Sequence, residues 1–302
     1  MYRLLLLLLF SFNLSFAQQG TIIKNGDAVI YYKTFGSGKP LLLINGGPGM
    51  NSEGFDGIAE KLSASNLVIT YDQRGTGRSI LKKIDNTSIT MNLMVEDVEA
   101  IRKHLKIEKW IIMGHSFGGM LAAFYATIHP GNISSMILSS SGGIDLGLLT
   151  YVSNNINSKL SKQELDSLEY WNNRMAAGDT DHVTRLGRGR ALAPAYVTNK
   201  KFIPVIAERL TQGNAVINGL IWNDMRSIHF DCSEILSTFK QPVLILQGKD
   251  DIIEEKTAIK AHKVLQRSTL VFIDHSGHYG WLDNETDYLA AIQKFLKEHN
   301  QI

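Results

Sequence analysis

The sequence has little cysteine, no clustered charge of one sign and no apolar run long enough to span a membrane. Cys232 is the only cysteine in 302 residues. An intramolecular disulfide is therefore excluded, and cysteine alone cannot build a metal site. Lys and Arg number 31 against 29 Asp and Glu, a net charge of +2. No basic block runs along any segment, which argues against a nucleic-acid partner. There is no internal repeat, no low-complexity tract, no phosphate loop, no dinucleotide fingerprint and no run of metal-ligating residues. No cofactor or metal is expected. What is present is ordinary: 44% hydrophobic and 20% charged residues, enough apolar mass for a sizeable core.

The first residues, "MYRLLLLLLFSFNLSFAQQG", carry one early cation, Arg3, followed by apolar residues from Leu4 to Phe16. Ser15 and Ala17 place small residues before a cut at Gln18. This is a secretory signal pattern over residues 1–17. The run of about 13 residues falls short of the roughly 20 that a spanning helix needs. The expectation is an exported, periplasmic or secreted protein with no stable membrane insertion after cleavage.

Beyond it, short apolar runs alternate with amphipathic segments. "AVIYYKTFG" (Ala28–Gly36) predicts an edge strand. "LLLI" (Leu41–Ile44) predicts a central strand covered on both faces, and "LVIT" (Leu67–Thr70), "WIIM" (Trp110–Met113), "SMILSS" (Ser135–Ser140), "VLIL" (Val243–Leu246) and "LVFI" (Leu270–Ile273) predict further strands. Met94, Val98, Ile101 and Leu105 mark one face of a helix. Further helices are predicted over 53–64, 117–130, 254–264 and 285–297. The pattern is that of an α/β protein with a mostly parallel sheet and helices on both sides. It breaks between about Gly142 and Lys240, where helical patterns run without a convincing strand. Ser161 and Glu164 fit a capping box there.

Ligands of parallel sheets bind beyond the carboxyl ends of the strands, and four loops leave at that end. After "WIIM" comes Gly114-His115-Ser116-Phe117-Gly118, a G-x-S-x-G between strand and helix. Such a turn exposes a strained serine, and Ser116 is the expected nucleophile. Its base should come late in the chain, preceded by an acid. "FIDHSGHYGW" offers His275 and His278, with His278 favoured because it follows Gly277 on a loop that can reach the elbow. "VLILQGKDD" offers Asp250 and Asp251, with Asp251 favoured to orient the imidazole. After "LLLI" comes Asn45-Gly46-Gly47-Pro48-Gly49, where backbone can approach a substrate closely. Pro48 has no N–H, so Gly47 and Phe117 are the expected donors to an oxyanion. The fourth loop, "YDQRGTGRS", reads as a salt-bridged buttress.

"GGPG", "DQRGTGRS" and "GHSFGG" together resemble the proline iminopeptidase group (serine peptidase family S33) within the α/β-hydrolase superfamily, over nearly the whole chain after residue 17. The resemblance implies an α/β-hydrolase core over residues 18–141 and 241–302 with a helical cap over 142–240. It implies an aminopeptidase releasing N-terminal proline, or another small residue, from short peptides. It also implies acidic cap residues for the substrate's free amine. Asp224 in "IWNDMRSIHFD" is the first candidate, followed by Glu208, Glu169 and Asp231. Asn45 stands where the group usually has His. Without amine recognition, the same scaffold would be a carboxylic-ester hydrolase acting on a small acyl substrate. A binding protein without turnover is the remaining alternative, and a broken triad would favour it.

Overall fold

The computed structural model describes residues 19–299. The expected signal segment, residues 1–17, lies outside them. Nine strands form one sheet: β1 (Gln19–Asn25), β2 (Ala28–Phe35), β3 (Lys39–Ile44), β4 (Asn66–Tyr71), β5 (Ile80–Leu81), β6 (Trp110–His115), β7 (Ile133–Ser139), β8 (Val243–Gly248) and β9 (Ser268–Ile273). Their order is β1-β2-β4-β3-β6-β7-β8-β9, with β5 paired to β2. β1, β2 and β5 run antiparallel to their partners, and the ladders from β4 through β9 are parallel.

Alternation along the central strands explains why the sheet is covered on both faces. In β3, Leu42 and Ile44 join one apolar cluster, and Leu41 and Leu43 join the other. The first cluster takes Met94, Val98 and Ile101 from α2 (Met91–His104), most of α3 (Phe117–Ile128), and Ala258 and Ala261 from α10 (Glu255–Val264). The second takes Ile58 and Leu62 from α1 (Asp56–Leu62), and Ile292 and Phe295 from α12 (Glu285–His299). A strand buried on both faces has few polar positions, which is why these runs read as nearly continuous apolar blocks.

One expectation is corrected. Ala28–Phe35 is not an edge strand: β2 pairs with β4 on one side and with β1 on the other. That edge belongs to β1, which alternates, with Ile23 buried and Ile22 63% exposed. A signal for it exists in Gly26, which takes φ +60 in the two-residue turn between the paired Asn25 and Ala28.

Between β7 and β8 the chain forms helices: α4 (Val152–Ser158), α5 (Lys162–Ala176), α6 (His182–Leu192), α7 (Ile203–Leu210), α8 (Ala215–Ser227) and the single turn α9 (Ser233–Leu236). The capping box is present at α5, with reciprocal Ser161 and Glu164 bonds. Among the described residues the only strand-like pairing of this segment is one bridge, Asp145 to Asp231. This helical insertion sits over the carboxyl ends of the strands, where it closes a cavity. After β9 come one turn, α11 (Gly280–Asp283), and α12.

Candidate active site

Ser116 links β6 to α3 with φ +55 and ψ −121. That backbone region disfavours any residue with a side chain, at a cost of order 1–3 kcal/mol. Neighbouring strands hold it there. The Ser116 N–H donates to the Ser139 carbonyl at 3.0 Å, and its carbonyl accepts from Gly142 at 3.1 Å and Gly119 at 3.0 Å. Glycine is obligatory on either side. A Cβ on Gly114 would lie 2.2 Å from the Gly118 carbonyl oxygen, and one on Gly118 would lie 2.3 Å from that of Ile44. The motif is thus a packing requirement as well as a chemical one.

His278 and Asp251 come from the loops after β9 and β8. His278 Nδ1 lies 2.7 Å from Asp251 Oδ1, and both side chains are almost fully buried. The other Asp251 bonds come from Gln247 Nε2 at 2.9 Å and the Ile253 N–H at 3.0 Å. A carboxylate so engaged has one place left for the imidazole, and the contact puts the proton on Nδ1 and leaves Nε2 as the acceptor. The His278 N–H donates to the Tyr196 carbonyl at 2.8 Å, and the Tyr196 ring meets the imidazole edge-on at 5.6 Å between centroids. His275 and Asp250 do not take these places. The His275 carbonyl accepts from Thr198, and Asp250 is exposed with its N–H bonded to Ser276.

Ser116 and His278 line one cavity of about 590 Å³, which Gly46, Gly47 and Phe117 also line. Gly46 lies against the serine, since a Cβ there would be 2.8 Å from the Ser116 Cβ. Gly47 has φ +75. Asn45 anchors this loop from inside by donating to the carbonyls of Gly46 and Met50 at 3.0 and 3.1 Å. His115 is buried beside His278, 4.7 Å between ring centroids. Burial first, then the neighbouring His278 and Arg209, lowers its pKa well below the usual histidine range, so it sits neutral.

The "DQRGTGRS" loop is a buttress, but mostly not through ion pairs of its own. Gln73 donates to the Asn45 carbonyl at 3.0 Å. Asp72 accepts from Ser52 and from the Arg78 N–H. Only Arg74 is in an ion pair, a bidentate one with Asp97 of α2 at 2.7 and 2.9 Å. A second anchor, Arg209 of α7, was not anticipated. Its buried guanidinium donates to the carbonyls of Asn51 and Glu53 at 2.7 Å each and of Gly46 at 3.1 Å. An arginine on an amphipathic helix reads as a solvated residue, so no pattern in the sequence marks it.

The acidic residues expected to hold a free amine are elsewhere. Asp224 does not line the cavity. It is half-buried, and its carboxylate accepts from the Met91 N–H at 2.8 Å, capping the start of α2. That placement follows from four free N–H groups at a helix start, which attract an anion. Glu208 pairs with His182 at 2.8 Å, and Asp231 accepts from the Ser233 N–H. Among the described residues no Asp or Glu lines the cavity, whereas Arg185 and Arg188 do.

The profile of the alpha/beta hydrolase fold family matches residues 39–285, so the chain belongs to that family. It is a hydrolase. A proline iminopeptidase from Lactobacillus helveticus is 25% identical over 283 residues, 90% of this chain and 95% of that one. The proline iminopeptidase structure from Mycobacterium smegmatis superposes with a TM-score of 0.70 at 21% identity, covering 93% of this chain and 98% of that one. An esterase from a Rhodococcus species superposes equally well, with a TM-score of 0.71 at 17% identity and coverage of 93% and 99%. The two structures share the fold with this chain.

Proposed function

We propose that the protein is a serine hydrolase of short peptides that releases the N-terminal residue, with Ser116 as nucleophile, His278 as base and Asp251 as its orienting partner. The observation that carries the triad is the 2.7 Å Asp251–His278 contact on the cavity that Ser116 also lines. The peptide substrate is supported by the curated relatives. Ser116 Oγ attacks the scissile carbonyl while His278 Nε2 takes its proton. The oxyanion accepts from the N–H groups of Gly47 and Phe117. The intermediate collapses as Nε2–H protonates the leaving amine, and water then hydrolyses the acyl-Ser116 ester by the same route.

A second reading has an observation of its own. No carboxylate among the described residues lines the cavity, and a carboxylate is what would hold a free amine. On this reading the same residues hydrolyse a carboxylic ester. The test is hydrolysis of a proline arylamide with a free amine, beside its N-acetylated twin and a short acyl ester. Cleavage of the free-amine arylamide alone selects the peptidase, and cleavage of the ester alone selects the esterase.

We also propose that the protein is exported and cut before Gln18. β1 begins one residue beyond that point, at Gln19. Intact mass of protein from an expressing cell's exported fraction should lack residues 1–17, and an intact Met1 would overturn this.

A further inference from the structure

We propose that Arg185 and Arg188 form a carboxylate-recognition site, so that the preferred substrate of this cavity carries a free carboxylate. The inference rests on the cavity being the substrate's, as read above. It goes beyond that reading by assigning the charge of the substrate and the residues that select it.

The two arginines lie three apart on α6, hence on one face of it, and both line the cavity together with Leu192 one turn further on. The rest of α6 is wedged into its neighbours. A Cβ on Gly187 would be 2.3 Å from the Trp171 ring of α5, and one on Gly189 would be 2.4 Å from the Ala207 carbonyl oxygen of α7. The helix therefore cannot turn its cationic face elsewhere. Adjacent like charges on a helix repel unless an anion sits with them. Three other arginines have such an anion: Arg74 has Asp97, Arg102 has Glu99 and Arg174 has Asp179; Arg78, Arg209, Arg226 and Arg267 instead bond neutral groups and do not line the cavity. Among the described residues neither Arg185 nor Arg188 is within ion-pair distance of a carboxylate. Nearby acids are engaged: Asp179 with Arg174, Asp181 in capping the Thr184 N–H, and Glu208 with His182.

The hydrogen-bond pattern is also that of a site prepared for a planar anion. Arg188 Nε donates to Asn172 Oδ1 at 2.7 Å, which fixes one edge of the guanidinium and leaves the Nη groups available. Arg185 Nε is buried with no partner among the described residues. That nitrogen is closed to the cavity, so a carboxylate would be held by the Nη groups, which are not among the buried donors without a partner and which guanidinium presents as a fork. A carboxylate suits the chemistry better than another anion, because a short peptide ends in one. An ester of a dicarboxylic acid would carry the same group on its acyl side. The shared requirement is the carboxylate, and the substrates below separate its two sources.

The test uses Ser116→Ala protein, so that binding is read without turnover, and calorimetry with two matched pairs. The first pair is prolyl-alanine and its C-terminal amide. The second is monomethyl glutarate and dimethyl glutarate. The free-carboxylate member of at least one pair should bind tenfold or more tighter, the range of a charge-assisted bond. Preference within the first pair assigns the carboxylate to a peptide C-terminus, and within the second to an acyl chain. The preference should fall to below threefold in Arg185→Gln/Arg188→Gln and be partly kept in Arg185→Lys/Arg188→Lys. The ratio is internal to each protein, so a misfolded fraction cancels. Equal binding within both pairs, no binding of either carboxylate, or a preference that survives the double Gln change would each overturn the proposal. Failure of the triad reading would show separately, as absent turnover by the unmutated protein with the carboxylate preference intact.

Discussion

The strand-end loops and the helical insertion build opposite walls of one cavity, and they are made differently. On the sheet side, Ser116, His278 and Asp251 are each held by backbone that has no freedom left. The serine is pinned by Ser139, Gly142 and Gly119, the histidine by Tyr196, and the aspartate by Gln247 and Ile253. On the insertion side, Arg185, Arg188, Asn172 and Trp222 project from helix faces and are half-buried or exposed. Rigid, water-excluded placement suits bond-making. A face of long polar side chains suits choice among substrates, since it can differ between proteins without disturbing the sheet. The difference fits the comparisons: peptidases and esterases share this fold, and what separates them has to lie where the chain is least constrained. Arg209 and Tyr196 cross the boundary, because these residues of the insertion hold the Gly46 loop and His278 of the sheet side.

That division can be broken from either side. The largest effect is expected for Asp251→Asn. It keeps the shape but removes the charge that fixes the His278 tautomer, and kcat should fall by on the order of 10³–10⁴ with little change in KM. A loss below about tenfold would mean that Asp251 is not the orienting acid. Arg209→Met should follow. It strips donors from the carbonyls of Asn51, Glu53 and Gly46, of which only the Gly46 bond is fully buried, and should cost roughly 2–3 kcal/mol, read as a lower denaturant midpoint. It should also slow turnover, because the Gly46–Gly47 loop loses its outer support. If stability falls and turnover per folded molecule does not, the insertion is a lid and not a structural part of the site.

A smaller effect concerns the core alone. Burial pushes the Glu99 carboxyl up, but bonds from Arg102, Tyr125 and Asn132 outweigh it and hold its pKa at about 2. A folded-state pKa below the unfolded one means that this stabilisation is present above about pH 4.5 and is lost as the pH falls toward 2. Melting temperature should drop through that window, and Glu99→Gln should flatten part of the drop. The smallest effect is expected for Asp224→Ala. It should lower stability by about 1 kcal/mol through loss of the α2 cap, while KM for free-amine and blocked substrates stays the same. A KM rise confined to free-amine substrates would put Asp224 back in the site.

The same division governs what could be read from the sequence. β3, β4 and β6 to β8 were legible because a strand buried on both faces carries few polar residues, and β9 because its apolar run Leu270–Ile273 is continuous although it lies at the sheet's edge. The loops after them were legible because Gly46, Gly114 and Gly118 stand where no Cβ fits. β1 was missed because it alternates and has no continuous apolar run, although the Gly26 turn marked it. Asp224 caps α2 and does not line the cavity, and in a sequence an acid that caps another helix looks like an acid that faces a pocket. Arg185 and Arg188 went unnoticed for the converse reason: a helix face that lines a water-accessible cavity has the composition of one that faces solvent.

The central claim is that Ser116 is the nucleophile, and covalent labelling tests it most directly. An alkyl fluorophosphonate should add once per molecule, as seen by intact mass, and peptide mapping should place the adduct on Ser116. Labelling should be lost in Ser116→Ala and slowed by orders of magnitude in His278→Ala. No adduct, or an adduct on Ser153 across the cavity with Ser116 untouched, would contradict the account.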